Sequence, residues 1–243
     1  MRFVVYDGEG EAIILASPPN GDSIGVFLLE GGVEGWFGSP APREDVLERT
    51  LSDGDYPPSS LTQGARPITF HGIGRFNSSL DAARFRDRLL SIMFKSVVVK
   101  GEEPGGSREC EGFVSDDPDP VLMDGDRVVQ FSLIVTCPDP KKYGEAHKFR
   151  PKNGQVEVIN EGNAPTWPIV KVDGVVHNLT ISHGSQQVKW SGSANGLTID
   201  FRDMSVSSGS ISIDNAFEIP PGKTKLTVST DGDLSVIVRP AWR

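Results

Sequence analysis

The chain has 243 residues, of which 37% are hydrophobic and 23% are charged, and its formal net charge is −9. This length fits one large domain or two ordinary ones, and either can bury a core without disulfide or metal staples. A protein that binds duplex nucleic acid needs a basic surface to displace counterions from the phosphates. No block of lysines or arginines occurs here, so nucleic-acid binding is not expected.

The N-terminal sequence predicts neither secretion nor membrane insertion. Residues 2–6 (RFVVY) run directly into the acidic turn DGEGE, which leaves no room for the apolar core of a signal peptide. The longest apolar runs, at 12–16 and 24–29, are far shorter than the ~20 residues that span a bilayer. We expect a soluble protein made in the cytoplasm.

The first third of the chain predicts short strands and one long loop. FVVYD and EAIILAS flank a GEG turn, and glycine supplies the positive φ that a tight hairpin needs. Another strand is predicted at 23–30. Residues 37–65 are rich in proline and contain the turn DGDYPPSS, which predicts a loop. Long connections without structure tend to be functional, so this segment is a candidate contact loop.

A single helix is predicted at residues 80–95, after a strand at 66–76. Ser78 or Ser79 can cap it, and Asp81 suits the positive end of the helix dipole. Apolar residues recur along it at three- and four-residue spacing and form one stripe: Ala82, Phe85, Leu89, Ile92 and Met93.

The rest of the chain predicts strands in two domains. VVQFSLIVTCPDPKKYGE, from Val128, ends one β-rich domain, and VEVINEGNAPTWPIVKVDG begins the next. Short strands follow at roughly 8–12-residue spacing, which is typical of a sandwich or barrel. We predict a mainly β protein with an N-terminal barrel- or sandwich-like domain at 1–145, a linker at 146–152 and a β-sandwich at 153–243.

No catalytic, cofactor-binding or metal-ligating residue is predicted. The acidic loop 115–126 is the best calcium candidate, but it lacks the glycine and terminal glutamate of an EF-hand, and a solvated turn explains it better. Cys110 and Cys137 can pair if adjacent, although buried free thiols fit an intracellularly assembled protein better. The histidines show no metal-binding spacing: His71, His147, His177 and His183.

Two tryptophans are candidate contacts for a glycan or a protein partner. Trp167 is flanked by two prolines just before a strand predicted at 169–172, and Trp190 lies in a strand predicted at 187–191. An exposed indole can stack on a sugar ring. A core or rim position is the more common role of such a large side chain. A glycan-binding module used in host adhesion is therefore the alternative function, and a cell-wall hydrolase ranks third.

Three stretches of the chain resemble the distal tail protein of long, non-contractile-tailed bacteriophages, a Dit-like tail-tip hub protein. RPITFHG (66–72) resembles the Arg-bearing strand that precedes the family's helix. SLIVTCPDPKKYG (132–144) resembles the Asp-Pro-basic-Tyr end of its first domain. NEGNAPTWPIVKVDG (160–174), with IPPGKTKLTV and RPAW further on, resembles its galectin-like second domain. Residues 1–65 resemble the family only in their general pattern of short strands and turns, without a matching motif.

The resemblance implies a structural, non-enzymatic protein without cofactors. The N-terminal domain would form a homo-hexameric ring at the tail tip of the virion, between the tail tube protein and the tip hub, or tail-associated, protein. The galectin-like domain would project outward as a platform for a receptor-binding protein. DNA would pass through the ring without being bound specifically, and assembly would occur in the host cytoplasm.

Overall fold

In the computed structural model the chain forms two compact units, Met1–Lys142 and Tyr143–Arg243. The structure describes residues 1–17, 23–43, 47–56 and 62–243. The described residues are mainly β-strand, with one α-helix and barrel- or sandwich-like sheets, so the predicted fold class is confirmed. The predicted contact loop lies partly outside the described residues, at 44–46 and 57–61.

The first eleven strands and the helix lie within residues 1–143. They are β1 (Arg2–Tyr6), β2 (Ile13–Ala16), β3 (Gly25–Glu34), β4 (Leu47–Glu48), β5 (Asp55–Tyr56), β6 (Arg66–Arg75), α1 (Ser79–Ser91), β7 (Ser96–Glu103), β8 (Gly106–Val114), β9 (Val121–Met123), β10 (Val128–Cys137) and β11 (Lys142–Tyr143).

The main sheet of the first unit closes on itself. Its strands pair in the order β8-β7-β1-β2-β3-β6-β10, and β10 also pairs with β8. Closure removes the two exposed edges that would otherwise invite pairing with another chain. Alternate residues along each strand point inward, as the period of two requires, and their buried side chains form the core, among them Phe3, Leu15, Phe70, Val99 and Leu133.

The helix begins as the sequence predicts and ends earlier. The Ser78 side chain caps it by accepting a hydrogen bond from the backbone N–H of Asp81. Its apolar stripe packs on the barrel, where the ring of Phe85 lies 5.5 Å from that of Phe131. The predicted end at residue 95 is wrong, because α1 stops at Ser91 and the backbone then turns through short-range bonds.

The second unit is built from antiparallel strands alone. They are β12 (His147–Phe149), β13 (Gln155–Asn160), β14 (Ile169–His183), β15 (Gln186–Asp200), β16 (Ser205–Val206), β17 (Ser210–Asp214), β18 (Gly222–Thr230), β19 (Asp233–Val238) and β20 (Ala241–Trp242). The long hairpin β14–β15 is central, and β18 and β19 both pair with β14.

The segment predicted as a linker, 146–152, is partly ordered into this sheet. His147–Phe149 forms β12, which pairs antiparallel with β19. Lys152 forms an isolated bridge with Gln155. The polar composition that suggested a linker therefore belongs to a short strand whose first two side chains are exposed. The division into domains at 1–145 and 153–243 stays a prediction.

Candidate interaction surface

Arg66, the first residue of β6, is fully buried and binds backbone carbonyls around it. Its Nε donates to the carbonyl oxygen of Pro140 at 2.7 Å, and its Nη1 donates to those of Gly35 and Gly38 at 2.6 and 2.7 Å. Burial lowers the pKa of Arg66, yet a guanidinium keeps its charge in proteins. The side chain thus fixes residues 35–38, where the predicted contact loop begins.

Lys142 and Trp36 complete this arrangement. The Lys142 ammonium donates to the carbonyl oxygen of Trp36 at 2.6 Å and lies 5.1 Å from the centre of its ring, a cation–π geometry. The Trp36 indole N–H donates to Glu103 Oε1 at 2.6 Å. Burial, aided by the charge of Arg66, lowers the pKa of Lys142 to about 8. We call Arg66, Lys142 and Trp36 the buried anchor.

The segment that follows the anchor presents apolar side chains to solvent. Phe37 comes directly after Trp36 and is exposed. Further along, β4 and β5 form a small hairpin, with Leu51 in its turn and Tyr56 at its end. Leu51 is 99% exposed. We call Phe37, Leu51 and Tyr56 the hairpin surface; it lies within the 37–65 segment that the sequence marked as a contact loop.

A second apolar surface surrounds Phe94, three residues after the end of the helix. Phe94 has a φ of +61° and is 92% exposed. A left-handed backbone is unfavourable for a bulky side chain such as that of phenylalanine. Exposure of the ring is a second unfavourable feature. Both features are explained if Phe94 is a contact residue, since strained positions cluster at functional sites.

Neighbouring side chains extend this surface. Met93 forms a parallel bridge with Val114, and Phe94 and Phe113 are the chain neighbours of these two bridged residues. Leu90 lies about one helical turn before Phe94. Leu90, Phe94 and Phe113 are all exposed. We call these three residues the helix-end surface. Exposed apolar groups that lie together in this way commonly mark protein–protein contacts.

Asp7 holds the helix-end surface in place. Its carboxylate has no solvent exposure, accepts hydrogen bonds from both terminal nitrogens of Arg88 at 3.0 and 3.2 Å, and lies 3.2 Å from Lys95 Nζ. Arg88 and the backbone N–H of Gly10 hold the pKa of Asp7 well below its usual range. Because Arg88 and Lys95 stand on either side of the helix end, Asp7 fixes the turn that carries Phe94.

The two tryptophans proposed as contacts occupy different positions. Trp190 is fully buried, and its indole N–H donates to the carbonyl oxygen of Ser208 at 2.6 Å. Gly192 and Gly209 pack so closely on its ring that an added Cβ would clash. A ring enclosed in this way cannot stack on a sugar, so Trp190 is a core residue. Trp167 packs on the same core but is only partly buried.

Sequence reasoning missed the residues that build these surfaces. Asp7 lies in the DGEGE turn, whose composition indicates only a solvated loop. Phe94 falls inside the predicted helix, where its apolar side chain is unremarkable. For Arg66 the sequence did offer an indication, because the phage family that the chain resembles has an Arg-bearing strand at this point. Its partners, however, come from segments far away in the sequence.

No group of three or more His, Cys, Asp or Glu side chains in the part of the chain that the structure describes is placed to hold a metal ion. Within 1–17, 23–43, 47–56 and 62–243, no helix has both the length and the apolar character to cross a membrane.

Comparison with known proteins gives matches in structure alone. No protein-family model matches the chain. No curated protein matches it either. Among solved structures, the chain is similar to the Dit protein of phage SPP1, with a TM-score of 0.71 at 17% identity and 99% of each chain covered. It is also similar to a chain of the phage P2 baseplate, with a TM-score of 0.53 at 8% identity, covering 98% of this chain and 97% of that one.

The likeness defines the class of fold. Both units are covered, so the order of barrel, helix and second β unit is shared along the whole length. The chain thus has the fold of Dit-like phage tail-tip proteins, and the resemblance inferred from the sequence is confirmed at this level. At such low identity the likeness establishes the fold, and the function has to be argued separately.

Proposed function

We propose that this chain is a structural bacteriophage protein of the distal tail type. It would assemble as a hexameric ring at the tail tip and join the tail tube to the tip hub and the receptor-binding apparatus. The observation that carries the proposal is the fold shared with SPP1 Dit over 99% of both chains. That protein is described as a paradigm of the hub adsorption apparatus of phages that infect Gram-positive bacteria.

The surfaces of the first unit support assembly into a ring. A closed cyclic assembly needs two unlike contact surfaces on every subunit. The first unit presents two separate groups of exposed apolar residues, the helix-end surface and the hairpin surface. Buried charged side chains hold the backbone of both surfaces in part: Asp7 holds the turn that carries Phe94, and Arg66 with Lys142 holds the segment that carries Phe37. Preorganised surfaces lose little conformational entropy on association.

The second unit fits the role of a platform. Every described aromatic side chain in Tyr143–Arg243 is buried or partly buried, so its outer faces are mainly polar and suit projection into solvent. Its attachment of a receptor-binding protein is part of the proposal. The formal charge of −9 agrees with a channel through which DNA passes without being held. No enzymatic step is proposed.

Location in the particle tests this proposal directly. Antibodies raised against the purified full-length protein are applied to phage particles and viewed by negative-stain electron microscopy with gold labels. The label should lie at the tail end opposite the capsid. Particles labelled on the capsid or along the tail shaft would refute a tail-tip role. Pre-incubation of the antibody with purified protein is the control and should abolish the label.

A further inference from the structure

The two cysteines of the chain meet inside the barrel of the first unit. Cys110 in β8 and Cys137 at the end of β10 are 27 positions apart, and their Sγ atoms lie 3.2 Å from each other. Both residues are buried free thiols. The strands are held together beside them by the pairs Val135↔Val114 and Thr136↔Phe113, where the barrel closes.

The backbone around the pair allows this close approach. Gly112 lies two residues from Cys110 on the same face of β8, next to the end of β10. A Cβ at Gly112 would come within 2.5 Å of the carbonyl oxygen of Thr136 and 3.0 Å of Cys137 Sγ. Only glycine leaves room for the two strands and both sulfur atoms at this point.

The charge around the pair favours thiolate formation at Cys137. Arg66 lies opposite Cys137 in the β6–β10 ladder. Among the described residues, Arg66 Nη2 is a buried nitrogen without a hydrogen-bond partner. The hydrogen bond with Cys110 lowers the pKa of Cys137, and the positive charge of Arg66 acts in the same direction, against burial. A thiolate is the form that reacts with oxidants.

We propose that Cys110 and Cys137 form an oxidative modification site, at which a hydroperoxide converts the two thiols into an intramolecular disulfide. The change of compartment that would drive the oxidation rests on the tail-tip function proposed above, whereas the reaction of the two thiols does not depend on it. Thiols stay reduced in the cytoplasm, where the chain is made, and disulfides persist outside it. A protein that is assembled inside a cell and then works outside one passes between these two conditions.

The reaction balances with one hydroperoxide per site. The Cys137 thiolate attacks one peroxide oxygen and the O–O bond breaks, which gives a sulfenic acid and a hydroxide that takes up a proton. Cys110 then attacks the Cys137 sulfur, the S–O bond breaks, and a second water leaves with the thiol proton. Two thiols and hydrogen peroxide thus yield one disulfide and two waters.

The disulfide would link the two strands at which the barrel closes. It constrains a loop of 27 positions in the unfolded chain. A link of that span raises the unfolding midpoint by roughly 10 °C for a protein of this size. The thermal midpoint of the full-length protein therefore reports formation of the link.

The test is peptide mapping of the full-length protein after treatment with hydrogen peroxide. After alkylation and trypsin digestion without reductant, we expect one linked pair of peptides, 109–127 with 128–141, and an intact mass lower by about 2 Da. Dithiothreitol should separate the peptides and reverse the rise in thermal midpoint. The variants Cys110→Ser and Cys137→Ser should give no linked pair and no rise.

Two results would overturn the proposal. One is that both cysteines remain fully alkylated after peroxide treatment while the protein stays folded. The other is that the cross-link joins two chains, which a non-reducing gel detects as a covalent dimer. Diamide, a thiol oxidant that acts without a sulfenic acid intermediate, provides a second measurement and should produce the same linked peptides.

Discussion

The two units of this protein bury and expose different kinds of residues. The first encloses Arg66, Lys142 and the carboxylate of Asp7, yet it leaves aromatic rings such as Phe37 and Phe94 in solvent. The second buries neutral polar residues and keeps its aromatic rings at least partly covered. Buried charge is unfavourable unless it is paired. In the first unit that charge holds in place the segments whose apolar side chains face outward.

The difference indicates where partners bind. In the second unit, packing within the unit already covers the aromatic side chains at least in part. The helix-end and hairpin surfaces of the first unit expose apolar side chains to solvent. The buried anchor holds the backbone beside Phe37, and Asp7 holds the turn that carries Phe94. Four substitutions test this contrast between the units.

Loss of Arg66 should have the largest effect. Arg66→Met leaves the carbonyl oxygens of Pro140, Gly35 and Gly38 without their donor. We expect the free energy of unfolding to fall by about 4 kcal/mol, in the range for disruption of a buried charged network. Urea unfolding followed by circular dichroism measures the change. Arg84→Met is the matched control, because Arg84 forms an exposed ion pair, and it should change stability by less than about 0.5 kcal/mol.

Loss of the Asp7 charge should have the next largest effect. Asp7→Asn weakens the contacts with Arg88 and Lys95, and we expect it to lower the free energy of unfolding by about 3 kcal/mol at pH 7. Its pKa is lowered in the folded state, so the stabilisation is present above the unfolded value of about 4 and is lost as pH falls below it.

The pH dependence separates this effect from a general loss of packing. Urea midpoints of the protein and of Asp7→Asn should differ widely at pH 7 and converge towards pH 2. The matched control is Asp87→Asn, which removes an exposed carboxylate paired with Arg86. A gap between the protein and Asp7→Asn that is equally large at both pH values would contradict the assigned role of the charge.

In the second unit the central prediction concerns Trp190. Trp190→Phe removes the hydrogen bond to the carbonyl oxygen of Ser208 and leaves a gap beside Gly209. We expect a loss of about 2 kcal/mol in the free energy of unfolding. Trp167→Phe, at a partly buried ring, should lose less than half as much. Equal losses would mean that the two rings do not differ in their contribution to the core. A glycan array with both variants tests the separate prediction of glycan binding.

The smallest effect on stability, and one of opposite sign, is expected at Phe94. Phe94→Gly relieves the left-handed backbone at the helix end, and we expect it to raise the free energy of unfolding by about 1 kcal/mol. Phe94→Ala removes the ring but keeps the strain, so its stability should hardly change. Both variants should weaken self-association in sedimentation velocity. A Phe94→Gly protein that is less stable than the original would show that the ring contributes to folding.

The sequence predicts the strands and the helix well where periodicity is local. The stripe from Ala82 to Met93 predicted the helix, but its end at Ser91 depends on Asp7, Arg88 and Lys95, which meet only in the folded barrel. The spacing of residues along the chain cannot predict contacts between segments that are distant in the sequence. The same limit applies to residues 37–65, where β4 and β5 form a hairpin within a segment whose prolines indicate a loop.

Burial was equally hard to predict for single large residues. Trp167 and Trp190 had the same predicted roles, yet one ring is partly buried and the other is enclosed by Gly192 and Gly209. The enclosing glycines come from β15 and from the turn before β17, so only the folded sheet brings them together. The likeness to a tail protein was accessible because it depends on the order of several stretches along the chain.

The mass of the assembled protein in solution tests the central claim most directly. Native mass spectrometry of the full-length protein at several concentrations should give a closed oligomer, and the proposal predicts six copies. Phe94→Asp, which places a charge on the helix-end surface, should shift the population to smaller species, while Leu80→Asp, on an exposed helix position outside that surface, should leave it unchanged. An unsubstituted protein that stays monomeric at high concentration, or a Phe94→Asp variant that still forms the complete oligomer, would contradict the account.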